Sequence, residues 1–397
     1  MRKGWEIKKL GDLFEITSSK RVFESEWKRD GVPFYRAREI VKLAKHGFVD
    51  NELFISEEMF NQYSAKYGIP ADGDIMVTGV GTLGICYVVQ KHDRFYFKDG
   101  NIIWLKKKSE ANSRFVEHAF RSDFLRKQID DSVGATVGTF TIIKAKNTLI
   151  PLPPLPEQQR IVGILDEAFE GIATAKANAE KNLQNARAIF ESHLQSVFTQ
   201  RGEGWDVRKI SEVAKHSLGK MLDKAKNKGK PQPYLRNINV RWFTFDLFDL
   251  LQMPFLPEES DKYTAIKGDV LICEGGYPGR AAIWAEDYPI YFQKALHRVR
   301  FHEPMHNKWF LYYLYAQDKS GALKQHFSGT GIQHFTGEVL ARFEMPLPPL
   351  AELRRAVAKF EELSVETQRL ESIYQQKLAA LEALKKSLLH QAFAGQL

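Results

Sequence analysis

Gly79, Gly81 and Gly84 stand in the spacing G-x-G-x-x-G inside GDIMVTGVGTLGICYVV, which begins at Gly73. That spacing suits a dinucleotide only where a helix follows at once, so that its first amides meet the pyrophosphate. Here a β-branched and aromatic run follows instead, and a second occurrence, GDVLICEGGYPGRAAIW from Gly268, keeps only Gly276 and Gly279. Both stretches read as strand, glycine loop, strand. Such a hairpin either lets its backbone approach a ligand or groove closely, or simply turns tightly. Other catalytic signatures fail on their context. Glu6-Ile7-Lys8 and Glu26-Trp27-Lys28 have the E-x-K form of some nucleases but lack a Pro-Asp upstream. An amino-methyltransferase would need N/D-P-P-aromatic, whereas Pro153-Pro154 and Pro348-Pro349 each precede leucine. There is no Walker lysine motif, and no metal ligand set is assigned.

Cations, hydroxyls and amides suit nucleic acid better. Lys20 and Arg21 close a polar loop, and Lys220 holds the corresponding place in the second half. VPFYRAREI at 32–40 alternates like a half-buried strand, which would put Arg36 and Arg38 on one face. In PYLRNINV the same pattern gives Arg236 and Ile238 on one face and Asn237 opposite. Each arginine is either a solvated edge residue or a cation aimed at phosphate or guanine. The glycine loops offer Gly81 and Thr82 in one copy and Tyr277 in the other. Thr136 and Thr139 in VGATVGTFTI suit phosphate, and Gln333 and His334 in SGTGIQHFTG could reach base edges. Residues of these turns are equally able to cap the element that follows.

What would position such residues is a duplicated chain. LIPLPPLPEQQRIVGIL at 149–165 and FEMPLPPLAELRRAVAKF at 343–360 are proline straps that run into long apolar-periodic helices. Gly134 to Val162 aligns with Gly329 to Val357 without a gap, and the same offset places Leu183, Leu194 and Phe198 on Leu378, Leu389 and Phe393. Two copies are too few for a solenoid, so a pseudo-twofold internal repeat is expected. The straps are stiff and poor in amide donors, and are expected to fix the angle between globular unit and helix rather than join a sheet. Ile161, Leu165, Ile172, Leu183, Phe190 and Leu194 recur by threes and fours in the first helix. Leu353, Val357, Phe360, Leu370, Leu378, Leu381, Leu384 and Leu388 do so in the second. Small residues crowd the first stripe and large ones the second, which suits close packing of one helix on the other. A lone helix of that length, roughly 66 Å, would be unstable with one apolar stripe in water. The two are therefore expected to pair as an antiparallel coiled coil that keeps the globular units apart.

The expected fold is α+β. Two similar globular α/β domains, 1–150 and 201–345, are each followed by a strap and a coiled-coil helix, 151–200 and 346–397. With 397 residues, 44% apolar and 12% aromatic, the chain can fill at least two real cores. The opening MRKGWEIKKL lacks an apolar signal core, and no run approaches the roughly 18 apolar residues of a membrane span. Cytoplasmic residence, away from membranes, is expected. Cys86 and Cys273 each lie in an apolar run and read as buried, reduced thiols. The net charge of +8 falls on the globular pieces, the helices being slightly acidic. That balance suits a polyanion without requiring one.

The GWEIKKLGDL start, the GD-strand-GTLG block and the IPLPPLPEQQRIV strap together resemble the specificity subunit of Type I restriction-modification enzymes. The resemblance covers essentially the whole chain. It implies that each globular unit is a target-recognition domain reading one half of a split double-stranded DNA sequence, with an unread spacer between. It implies that the coil acts as a ruler and docks two methyltransferase (modification) subunits, which restriction subunits can join. S-adenosylmethionine, and ATP and Mg for restriction, would belong to those partners, with no cofactor in this chain. The methyltransferase would flip an adenine out of the duplex. Where the family often has arginine after the loop glycine, the first copy has Ile85 and the second Arg280, so an arginine contact is expected only in the second. Two rival readings are a standalone DNA-modifying enzyme and a non-DNA coiled-coil scaffold carrying two ligand-binding modules; the basic charge on both modules argues against the scaffold.

Overall fold

The computed structural model describes residues 4–130, 138–223 and 225–397, which leaves Thr136 outside the described residues. The chain forms two compact units, Met1–Ala179 with Gln376–Leu397, and Glu180–Gln375. In the first, a four-stranded antiparallel sheet has the order Phe14–Thr17, Ile102–Lys107, Ile75–Thr78, Cys86–Val88. In the second, Ala214–Leu218, Leu296–Phe301, Val270–Cys273 and Ala281–Ile283 repeat that order strand for strand. A second sheet in each unit is built on Val32–Tyr35 or on Lys230–Leu235, each with one parallel neighbour, Tyr96–Phe97 or Ile290–Phe292. The duplication read from the sequence is thus a duplication of topology.

The Gly-Asp pairs that open the hairpins set the strands in place. Asp74 is buried and accepts from the Trp104 indole N–H at 2.8 Å and from the Lys107 and Ala71 amides at 2.8 and 2.9 Å. Asp269, equally buried, accepts from Arg300 at 2.7 and 2.6 Å and from the Ile266 amide at 2.8 Å. A buried carboxylate is tolerated when its lone pairs are filled in this way. Cys86 and Cys273 are buried free thiols. Burial pushes the Cys273 thiol up to about 11.

The straps depart from expectation. Leu149–Leu152 pairs antiparallel with Glu6–Lys9, and Glu344–Leu347 pairs with Asp206–Lys209. Each strap therefore joins a sheet. A two-stranded ribbon consists only of edges, so Pro151, opposite Ile7, and Pro346, opposite Val207, can sit where a missing amide breaks no ladder. Beyond the straps, Gln158 accepts from the Asn112 amide at 2.9 Å and donates to the Pro153 carbonyl at 2.8 Å. In the other copy the Trp309 indole donates to the Pro346 carbonyl at 2.7 Å.

The central helix, Leu155–Thr199, and the C-terminal helix, Leu350–Ala394, are each continuous over 45 residues. Within the first unit Phe169 lies under Lys385, and Lys176 pairs with Glu382 at 2.8 Å. Within the second, Arg187 pairs with Glu371 at 2.5 Å while His193 and Phe198 meet the Phe360 ring. As numbers rise along one helix they fall along the other, so the pairing is antiparallel in both. Ile161, Leu165, Leu389 and Phe393 enter the core of the first unit. Phe190, Leu194, Leu353, Val357 and Phe360 enter that of the second. Ile172 is buried, and Leu183, Leu370, Leu378, Leu381 and Leu388 are half-buried. Leu384, placed in the stripe by spacing, is 48% exposed. The inward face there passes through Leu388, Leu389 and Ala392, because a 3.6-residue turn drifts off any fixed count of threes and fours.

Candidate nucleic-acid interface

Three loops meet at one end of each four-stranded sheet, and hydrogen bonds tie them to the turn that precedes its longest strand. In the first unit, Gly79 of the hairpin donates its amide to the Asn101 carbonyl at 2.9 Å and accepts from the Phe140 amide at 2.9 Å. The loop holding Lys20 reaches the same turn, Ser18 donating to Ile102 at 3.0 Å and Ser19 to Phe97 at 2.6 Å. In the second unit Glu274 donates to the Ala295 carbonyl at 2.9 Å and accepts from the Phe335 amide at 2.8 Å. Lys220 accepts there from the Lys294 amide at 2.9 Å. Main-chain atoms hold the hairpin and the loop before the short helix in both copies, whereas the Lys20 loop is held by the Ser18 and Ser19 hydroxyls and its Lys220 counterpart by main chain.

The glycines are required where the loop turns back. Gly84 has a φ of +70°, and a Cβ there would stand 2.9 Å from the Ile129 side chain; Gly279, at +82°, would meet Leu323 at 2.4 Å. Gly81, also at +70°, faces open space, with exposed Thr82 beside it. Thr78 binds the loop from inside, donating to the Thr82 carbonyl and accepting from the Ile85 amide. Arg126 braces it by donating to the Leu83 carbonyl at 2.7 Å. Behind this hairpin lies a cleft of about 460 Å³ whose lining includes Lys45, Arg121, Arg126 and Lys385, cations that spacing alone did not bring together.

The candidate arginines sit differently from expectation. The strand ends at Tyr35, and Arg36 is the cap of the helix Ala37–His46, so Arg36 and Arg38 do not share a strand face. Glu39, three residues on, ends the strand by accepting from the Arg36 amide at 2.9 Å and from its guanidinium at 3.2 and 3.1 Å. Burial raises the Glu39 carboxyl, but the bonds from Arg36 and Arg38 outweigh it and hold the group below its ordinary value. Arg38 pairs with both Glu39 and Glu52 at 2.5 Å. The second copy repeats the device with a different residue. The strand stops at Leu235, Asn239 accepts from the Arg236 amide at 2.9 Å, and Arg236 pairs with Asp249 at 2.7 Å. Asn237 and Ile238 therefore lie in a short 3-10 turn, not on opposite strand faces.

Lys220 is the clearest correction. Its ammonium is buried inside the fold against Glu259 at 2.5 Å and the Pro254 carbonyl at 3.0 Å, not free at the surface. Lys20 stays exposed, and Arg21 pairs with Asp99 at 3.0 Å. Thr139 is exposed beside Phe140, and the following Thr141 caps the helix Ile142–Asn147, as Thr336 caps Gly337–Arg342. Asn237, Tyr277, Arg280 and His334 do converge on the second glycine loop. Asn237 donates to the Gly275 carbonyl at 3.1 Å and accepts at its own carbonyl from Arg280 at 3.0 Å. Arg280 also lies 5.1 Å over the Tyr277 ring, and His334 packs against Gly275. Gln333 is exposed next to it. His302 and His306 stand four residues apart, but no group of three His, Cys, Asp or Glu that could hold a metal occurs among the described residues.

A model of the family described as the Type I restriction modification DNA specificity domain matches residues 2–184 and again 202–383. A putative type I restriction enzyme specificity subunit of Haemophilus influenzae is 27% identical over 194 residues, 47% of this chain and 47% of that protein. The chain thus matches about half the length of that relative. The EcoBI specificity subunit of Escherichia coli is 22% identical over 99% of this chain and 86% of its own. A chain solved for the complex assembly and conformational transition of the type I R-M system superposes with a TM-score of 0.79. It has 22% identity, and 100% of this chain and 99% of that one are covered. At that identity the likeness speaks for the fold.

Proposed function

Because the chain belongs to the Type I restriction modification DNA specificity family, we propose that it is the sequence-reading, non-catalytic subunit of such a system, with each unit reading one half of a bipartite duplex target. The observation that carries this is the repeated convergence of three loops on one end of each sheet, the hairpin and the loop before the short helix fixed by main-chain bonds in both copies and dressed with different side chains. Identical modules would favour a palindrome; Thr82 against Tyr277 and Ile85 against Arg280 favour two unlike half-sites. Affinity would come mainly from lysine and arginine neutralising phosphates, and sequence from side chains at the loops. The paired helices would set the unread spacer and dock two methyltransferase subunits, to which restriction subunits add. S-adenosylmethionine, ATP and Mg would be held by those partners. The described residues contain no helix long and apolar enough to cross a membrane, which agrees with work on DNA in the cytoplasm.

The test is a map of methylated adenines, by single-molecule sequencing, in cells with and without this chain. A split motif that appears only with the chain supports the reading. An unchanged map, together with no band shift on competitor-challenged duplex DNA, overturns it in favour of a scaffold.

A further inference from the structure

In the second unit the strand Val270–Cys273 enters its glycine loop through Glu274. Beside it opens a cleft of about 360 Å³ whose rim carries Met221, 62% exposed, Leu222, 50% exposed, Lys294 and His334. The Glu274 main chain is fixed on both sides, to Ala295 and to Phe335. Its half-buried side chain has no hydrogen bond or ion pair among the described residues, and neither has that of Lys294. The first unit has Gly79 at this place, where a Cβ would stand 2.8 Å from the Phe140 carbonyl oxygen. A side chain is therefore excluded in one copy and presented in the other.

A carboxylate repels phosphate, so Glu274 is unsuited to a backbone contact. What it can accept is a base amino group. Cytosine shows its N4 amino in the major groove with no acceptor beside it on the same base, whereas adenine sets N7 next to N6, and N7 repels a carboxylate. The guanine opposite offers O6 and N7, acceptors suited to a lysine on the same rim. The apolar side chains of Met221 and Leu222 exclude water around such a bond and strengthen it. We propose that Glu274 reads a cytosine in the half-site of the second unit, with Lys294 facing the paired guanine. This rests on the DNA-reading function proposed above.

The experiment is selection of bound duplexes from a randomised DNA library by the full chain at low salt, for wild type, Glu274→Ala and Glu274→Gln. Wild type should recover a split motif with one position in one half fixed as cytosine by about tenfold. Glu274→Ala should level that position alone, and Glu274→Gln should turn it toward adenine, whose N6 and N7 a glutamine amide matches. Melting temperatures should be unchanged, since the side chain holds nothing in the fold. Cytosine retained in both variants, or a uniform loss at every position, overturns the assignment. A wild-type chain that enriches no sequence overturns the functional reading itself, a result distinct from either.

Discussion

Replacing Arg36 with alanine separates a residue that holds the fold from one that holds DNA. Glu39 is 2% exposed, and Arg36 supplies it with three bonds, two from the guanidinium and one from the amide. Breaking a buried pair by removing one partner costs about 3–5 kcal/mol. Here the amide stays, and so does Arg38 at 2.5 Å, so roughly half of that, about 2 kcal/mol, is expected. On a unit of this size that lowers the melting temperature by about 4–8 °C. The pH dependence gives a second signature. A carboxyl held below its unfolded value stabilises the fold above that value, about 4.3, and the contribution is lost as pH falls through the folded value. The gap between wild type and Arg36→Ala should thus be full at pH 7 and close in acid, while Arg36→Ala with Glu39→Gln should recover part of the loss. Thermal melts at several pH values read all three. An unchanged melting temperature, with weaker DNA binding and a shallower salt slope, would refute the structural role and make Arg36 a phosphate contact.

His297 is buried, its ring nitrogens lack side-chain partners, and burial first, then His216, pushes it down to about 4. The unfolded chain takes up a proton near pH 6.5 that the fold refuses, so stability should fall by up to about 3 kcal/mol between pH 6.5 and 4; His297→Leu should remove that slope in denaturant titrations. Deleting one heptad from the central helix and the heptad facing it should shorten the spacer and leave both half-sites intact, as read by methylation mapping; altered half-sites would count against the ruler. Exchanging 1–150 for the same region of another family member should change one half of the target only.

Periodicity made the hairpins, the long helices and the repeat legible, because each depends on local alternation or on self-comparison. Alternation continues past Tyr35 and so extends the expected strand through Arg36, although Glu39, and Asn239 in the second copy, lie three residues on as acceptors able to end it. Lys220 gave no local sign of burial, since Glu259 is brought to it only by the sheet. Leu384 shows the limit of counting by threes and fours along a helix of 45 residues. Glu274 was available to comparison, standing where the other copy has Gly79, but its meaning depends on the cleft beside it.

The two copies share what is held by main chain or by buried polar groups, and differ where side chains reach the loops. Asp74 and Asp269 anchor equivalent strands, Thr141 and Thr336 cap equivalent helices, and the hairpins are tied to equivalent turns. Around them Gly79 faces Glu274, Thr82 faces Tyr277, Ile85 faces Arg280, and exposed Lys20 answers to buried Lys220. The Thr82 and Glu274 side chains make no hydrogen bond among the described residues, so a change there leaves the main-chain ties in place, whereas Tyr277, Arg280 and Lys220 also bond within the fold. Under the proposed function that division would let one fold, used twice in a chain, read two unrelated half-sites, and it predicts that changes of specificity gather at these loop positions while the buried carboxylates and caps stay as they are.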